Sequence, residues 1–274
     1  MLLIKGGVTL TFKTYLDNIK VGKNSICIIW VGQAGFLLKT PGGKIIAIDP
    51  YLTDYVYNLL NKDYGYGFKR MTASVFKPDE IEIDHLFSSH EHGDHLDVDA
   101  IFELLNNNCT SLYANAESKK IAARAGVPQE KITLIKKDMM ISFDEFELIV
   151  TAADHGELCT DAMGFIFDFG FAKVYYSGDT CYNNKVLKKA IEVKPEVALL
   201  PINGAFGNLN AEEAAKLAGE MYSKVCLPHH FWTFPLHKGE KGDPIDAIKA
   251  FPEFAPDCRL VMLSPGEAFI YKKE

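Results

Sequence analysis

Short apolar runs broken by glycine and proline open the chain. Residues 26–31, 35–40 and 44–49 have the length and β-branched content of strands, and Gly32-Gln33-Ala34 and Pro41-Gly42-Gly43 supply the turns, so a β-meander is expected. From 50 to 80 the period lapses. Tyr51, Tyr55, Tyr57, Tyr64, Tyr66 and Phe68 are interleaved there with Gly65, Gly67, Lys69 and Arg70, an aromatic-rich loop excursion that reads either as a binding loop or lid or as a surface excursion or oligomer contact. Ile81, Ile83, Leu86 and Phe87 then form a strand, and Asp97 or Asp99 can cap a helix carrying Ile101, Phe102 and Leu105. A second helix over 116–125 stops at Gly126, and paired strands follow around 131–152, then over 163–169 and 172–177. Further on come a helix near 184–193, a strand over 197–201, a helix over 211–222 opened by Asn210 and Glu213, a strand over 225–227, and a helix started by Asp243-Pro244. Residues 258–264 and 267–272 are the closing strands.

Composition places this pattern in one large domain spanning 1–274: 274 residues with 48% apolar and 24% charged positions bury a core without a linker. A net charge of −7 disfavours a nucleic-acid surface, while small anionic substrates stay open. Six cysteines lie scattered with no Cys-x-x-Cys pair, as expected of reduced core thiols in a cytoplasmic protein. The N-terminal Met-Leu-Leu-Ile meets Lys5, Gly6 and Gly7, unlike a signal peptide, and the longest uncharged segment, 24–38, is too short and too polar to span a bilayer.

The chemistry concentrates after the strand ending at Phe87, where His90-Glu91-His92-Gly93-Asp94-His95 crowds three imidazoles and two carboxylates onto one loop. A lone loop histidine is most often structural, but this cluster is electrostatically costly without a cation, and its donors suit zinc, manganese or iron. The spacing places His90 and His92 on one side and Asp94 and His95 toward a neighbouring position, so two adjacent ions are expected, with Gly93 allowing a sharp turn. Asp49, ending a strand, is either a turn cap or a support for the ligands. His85 reads as structural, and His237 as a solvated loop residue.

The string His90-x-His92-x-Asp94-His95 resembles the signature of the metallo-β-lactamase superfamily. That resemblance implies an α/β fold, an αββα sandwich of two mixed β-sheets with helices outside, the two closing strands completing the second sheet. It further implies His90, His92 and His155 on one metal, Asp94, His95 and His230 on the other, and Asp179 of Ser177-Gly178-Asp179 between them. His230 rather than His229 fits the last position, since adjacent strand residues face opposite ways. Two divalent ions, manganese or zinc, would then generate a metal-bound hydroxide, with Asp94 orienting it and shuttling a proton. Trp30-x-Gly32-x-x-Gly35, Gly126-Val127-Pro128 and the 203–210 segment are similar to the branch containing the L-ascorbate-6-phosphate lactonases. This implies a small-molecule substrate, a phosphorylated sugar lactone; Lys69, Arg70, Lys238 and Lys241 are loop cations available to its phosphate, and Asn203 and Asn208 read equally as substrate contacts or as turn residues. The alternatives are a metal-dependent phosphodiesterase and, in another class, a non-catalytic metal-binding protein. A flavin-linked di-iron reductase would carry glutamate where His92 stands. No nucleic-acid or membrane partner is expected, and a homo-oligomer stays open.

Overall fold

The computed structural model describes residues 11–106, 111–235 and 243–273. Two sheets face one another. The first contains β1 (Ser25–Gly32), β2 (Gly35–Lys39), β3 (Ile45–Ile48), β4 (His85–Phe87), β5 (Ser111–Ala114), β6 (Ile132–Leu134) and β14 (Ala268–Lys272), in the order β14-β1-β2-β3-β4-β5-β6. The second contains β7 (Met140–Ser142), β8 (Glu147–Ala152), β9 (Met163–Asp168), β10 (Lys173–Tyr176), β11 (Val197–Pro201), β12 (Val225–His229) and β13 (Arg259–Leu260), in the order β13-β12-β11-β10-β9-β8-β7. Both are mixed: β3 to β6 run parallel, as do β10 to β13, and the remaining pairs are antiparallel. The helices are α1 (Phe12–Asn18), α2 (Tyr55–Tyr64), α3 (Val98–Asn106), α4 (Ala116–Arg124), α5 (Lys188–Val193), α6 (Ala211–Glu220) and α7 (Pro244–Phe254).

The period-2 side-chain alternation of β1 shows how the layers form. Ile26, Ile28 and Trp30 enter the core between the sheets, whereas Cys27, Ile29 and Val31 enter a second core with Phe12, Leu16, Ile101 and Leu104 beneath the helices. Phe87 is a direct bridge between the sheets, its ring 5.6 Å from that of Phe165 and 5.3 Å from that of Phe167. Helix starts are chemically fixed. Asn210 and Glu213 form the capping box of α6, and Asp243 accepts from Ile245 N at 2.8 Å ahead of Pro244 in α7.

Several expectations change. The excursion over 50–80 contains α2, whose Val56, Leu59 and Leu60 were masked in the sequence by surrounding tyrosines; it ends at Gly65 with φ +55°. Strand β6 belongs to the first sheet, paired with β5, while β7 and β8 form a hairpin in the second. The closing strands also separate. β13 edges the second sheet, but after the turn at Gly266 (φ +87°), whose N–H donates to Trp30 O at 2.7 Å, β14 returns to the first sheet beside β1. Asp97 does not cap α3 with its side chain; it accepts from Leu52 N, Thr53 N and Thr53 Oγ1 at 2.6–2.8 Å, tethering the segment ahead of α2. No helix among the described residues is long and apolar enough to cross a membrane.

Phe167→Ala removes a fully buried ring facing Phe87 across the sandwich. It should lower unfolding free energy by about 3–5 kcal/mol in a urea titration; a loss below about 1 kcal/mol would contradict the packing described.

Candidate metal centre

The candidate ligands all follow the C-terminal ends of strands: Asp49 after β3, His90 to His95 after β4, His155 after β8, Asp179 after β10 and His230 after β12. Parallel neighbours deliver these loops to one rim. Close approach there depends on glycine. A Cβ on Gly178 (φ +62°) would lie 2.5 Å from Met163 O, and one on Gly93 would lie 2.8 Å from the Tyr55 ring. Gly93 thus serves to seat α2 on the motif loop, a role different from the sharp turn expected of it.

Two groups of side chains form. In the first, His90 Nε2 is 3.0 Å from His92 Nδ1, which is 3.3 Å from His155 Nε2. In the second, His230 Nε2 is 3.4 Å and His95 Nε2 3.8 Å from Asp94 Oδ2. Within each group the donor atoms lie within 4.8 Å of one another. Asp179 lies between the groups: Oδ1 is 3.3 Å from His95 Nε2, and Oδ2 is 3.4 Å from His230 Nε2 and 3.8 Å from His155 Nε2. His229, one residue before His230, is instead buried in the core between Tyr176 and Phe36, with ring centroids 5.3 and 5.6 Å away.

Asp49 orients the candidate ligands from beneath. It accepts from Ser89 N at 2.8 Å, from Ser89 Oγ, and from His95 Nδ1 and Tyr176 Oη at 2.6 Å each, which turns His95 Nε2 toward the centre. Asp49, His90 and His95 also approach one another, but the Asp49 oxygens are already engaged by these donors. Gln33 and Glu91 have roles the sequence reading missed. Gln33 Nε2 donates to Asp94 Oδ2 at 2.8 Å, and its backbone accepts from His230 N and binds Thr233 Oγ1, in the left-handed region at φ +50°. Glu91 points away from the cluster and accepts from Cys159 Sγ at 3.1 Å and Asn115 Nδ2 at 3.3 Å, linking the motif loop to the loop carrying His155. Only a hydrophobic-to-polar break beside Trp30 marked Gln33 in the sequence.

Electrostatics follow from burial and mutual charge. Burial and then His95 hold the His90 imidazole well below its usual pKa; burial likewise lowers His155, leaving both as neutral donors. Burial opposes protonation of His230, yet Asp179 and Asp94 outweigh it and raise that imidazole to about 9. His95 is raised well above its usual value for the same reason, against burial and chiefly through Asp179. Burial would raise Asp94 and Asp179, but His95 and His230 keep both carboxylates below their usual range. His95 Nε2 and Asp179 Oδ1 are buried with no hydrogen-bond partner although they face each other. Converging imidazole lone pairs, paired carboxylates and orphaned inward atoms are the donor set of a divalent ion, and the residues fit one.

The centre floors a cavity of about 300 Å³ walled by α2, Phe68 and Phe234. Lys69 and Arg70 do not reach it. Lys69 pairs with Asp54 over the Tyr57 ring, and Arg70 donates to Tyr51 O and stacks on the Tyr51 ring. Asn203 and Asn208 are buried and do not line the cavity; their neighbours Ile202 and Leu209 donate to His229 O and Thr180 O. His237, Lys238 and Lys241 lie outside the described residues.

The sandwich, its histidine and aspartate groups and the relatives of the chain together place it in a class of metal-dependent hydrolases. Residues 46–231 match the model of the beta-lactamase superfamily domain, and the chain belongs to that superfamily. Similar proteins include a UPF0173 metal-dependent hydrolase of Archaeoglobus fulgidus, 29% identical over 90% of this chain and 99% of its own length, and another of Methanopyrus kandleri, 28% identical over 88% and 98%. Among solved structures, a metallo hydrolase of Ignicoccus hospitalis superposes with TM-score 0.69 at 21% identity, covering 91% of this chain and all of its own. An isothiocyanate hydrolase from Delia radicum gut bacteria superposes with TM-score 0.72 at 18% identity, covering 90% of this chain and all of its own. These two share the fold.

Asp49→Asn weakens the acceptor that orients His95 and Ser89. Chelator competition should show metal affinity falling about 10–100-fold; unchanged affinity would mean that the Asp49 contacts do not position the ligands.

Proposed function

We propose that this metal-dependent hydrolase of the metallo-β-lactamase fold holds two divalent ions, manganese or zinc, and cleaves the C–O bond of a small-molecule lactone or ester. The observation carrying this reading is Asp179, which reaches both donor groups: Oδ2 is 3.8 Å from His155 Nε2 of the first, and Oδ1 and Oδ2 are 3.3 Å from His95 Nε2 and 3.4 Å from His230 Nε2 of the second. His90, His92 and His155 would hold one ion, and Asp94, His95 and His230 the other. Once bound, the pair would acidify a water and polarise the oxygen of the bond under attack.

The remaining steps belong to the chain's own groups. The Asp94 side chain is 17% exposed against 5% for Asp179, so Asp94 is the more open of the two carboxylates on the cavity floor. Gln33 fixes its Oδ2 at 2.8 Å. Held as a carboxylate by His95 and His230, Asp94 accepts the proton of the attacking water and returns it to the leaving oxygen. Burial of the cluster excludes competing water and strengthens these interactions.

A phosphorylated sugar lactone such as L-ascorbate 6-phosphate, implied by the branch resemblance, brings an anion that needs a cation. Among the described residues lining the cavity there is no lysine or arginine. Lys69 and Arg70 are committed elsewhere, and Lys238 and Lys241 lie outside the described residues, so the described cavity supports the lactone or ester bond and assigns no partner to a phosphate.

Metal analysis of manganese- or zinc-loaded protein should approach two equivalents, His230→Ala should fall to about one with loss of most turnover, and His229→Leu should keep two. One equivalent in the wild type would refute the paired centre. In oxygen-18 water, label should enter the product carboxylate. Label in phosphate, with turnover confined to phosphodiesters, would replace this reading by a phosphodiesterase; metal-loaded protein inert toward both panels would favour a non-catalytic metal-binding role.

A further inference from the structure

The cavity above the centre has a chemistry of its own. Beyond the ligand-type floor and Gly93, every described residue lining it is aliphatic or aromatic. Val56 and Leu60 of α2, with Phe68 and Phe234, form the inner walls. Leu59, Leu158 and Phe206 form the outer part and stay 59%, 54% and 46% exposed, although they come from three separate segments: α2, the loop after β8 and the loop after β11. Large apolar side chains converging from three segments on one opening mark a binding surface.

Phe206 shows that this arrangement is imposed. Its backbone sits at φ +53°, a region bulky residues avoid, between Gly204 at +62° and Gly207 at +82°. The loop is anchored on both sides, by Leu209 N donating to Thr180 O at 2.8 Å and Ile202 N donating to His229 O at 3.1 Å. Strained backbone thus presents an aromatic ring at the cavity, 6.4 Å from the ring of Phe68.

Such a lining discriminates among substrates. A sugar or phosphate placed against it would lose water without gaining hydrogen bonds from the described walls, whereas a hydrocarbon gains by leaving water. We propose that this cavity is a hydrocarbon subsite, selecting neutral esters or lactones whose acyl or alkyl body is aliphatic or aromatic. The proposal deepens the hydrolytic reading and rests on it for the bond cleaved.

Two measurements test it on the full chain. With metal-loaded protein and p-nitrophenyl esters from acetate upward, kcat/KM should rise about fourfold per added methylene until the cavity is filled. Phe206→Ser and Leu59→Ser should flatten that slope, while Leu134→Ser, on the distant edge strand β6, should keep it. Independently of turnover, calorimetry with neutral alkanols should show 1-octanol binding about sixtyfold tighter than 1-pentanol, and Phe206→Ser should erase most of the difference. Alkanol binding with this dependence but no ester cleavage would uphold the subsite and sink the hydrolytic reading. Ester cleavage indifferent to chain length, or a preference for phosphorylated lactones, would overturn the subsite and leave hydrolysis standing. Loss of a dimer in Phe206→Ser with the slope unchanged would also overturn it.

Discussion

One buried carboxylate ties the two sheets to the centre. Asp49 leaves β3 with φ +45°, fully buried, and accepts from Ser89 and His95 on the first sheet's motif loop and from Tyr176 on the second sheet's β10. An unpaired buried carboxylate is expensive, and four donors are what make this one tolerable. The cost and its compensation are spatially specific. Ser89 and His95 must approach from one sheet and Tyr176 from the other, so the sheet spacing and the orientation of His95 are set by the same oxygen atoms. Phe87, packed on Phe165 and Phe167 immediately before the motif, provides the apolar counterpart of that link.

Parts of this arrangement were legible in the sequence because they depend on local pattern. The meander of β1 to β3, the capping box at Asn210 and the crowded motif at His90 to His95 each carry their cause within a few residues. The order of sheets does not. β6 and β14 join the first sheet because of long-range pairing with β5 and β1, and nothing in their own residues distinguishes one sheet edge from another. Helix α2 was hidden for a different reason: its tyrosines supply an aromatic pattern that competes with the helical spacing of Val56, Leu59 and Leu60. Gln33 was invisible because a glutamine in a turn has no signature until Asp94, sixty-one positions away, is brought to it.

The lysine and arginine of the excursion have partners that the sequence does not announce. Beside a candidate metal site they look available to an anion, yet Asp54, Tyr51 and Tyr57 lie within their own segment and engage them first. Short-range partners win because a cation held there loses less chain entropy than one reaching across a cavity. What remains facing the centre is the apolar side of the same segment.

Chemistry and selectivity are consequently carried by different parts of the fold that are mechanically joined. The ligand-type residues stand on strand ends, where the ladders of both sheets restrict their movement, whereas the cavity walls come from α2 and from loops after β8 and β11. At Gly93 the two parts touch, since Tyr55 occupies the space a side chain would need, and Asp97 holds the start of the α2 segment from the far end of the motif loop. Through these contacts α2 and the motif loop pack as one piece. The side formed by Leu158 and Phe206 is tied down differently: Cys159, next to Leu158, donates to Glu91 of the motif loop, and the loop of Phe206 is anchored to Thr180 O and His229 O. All three walls of the cavity are thus fastened to the elements that carry the candidate ligands.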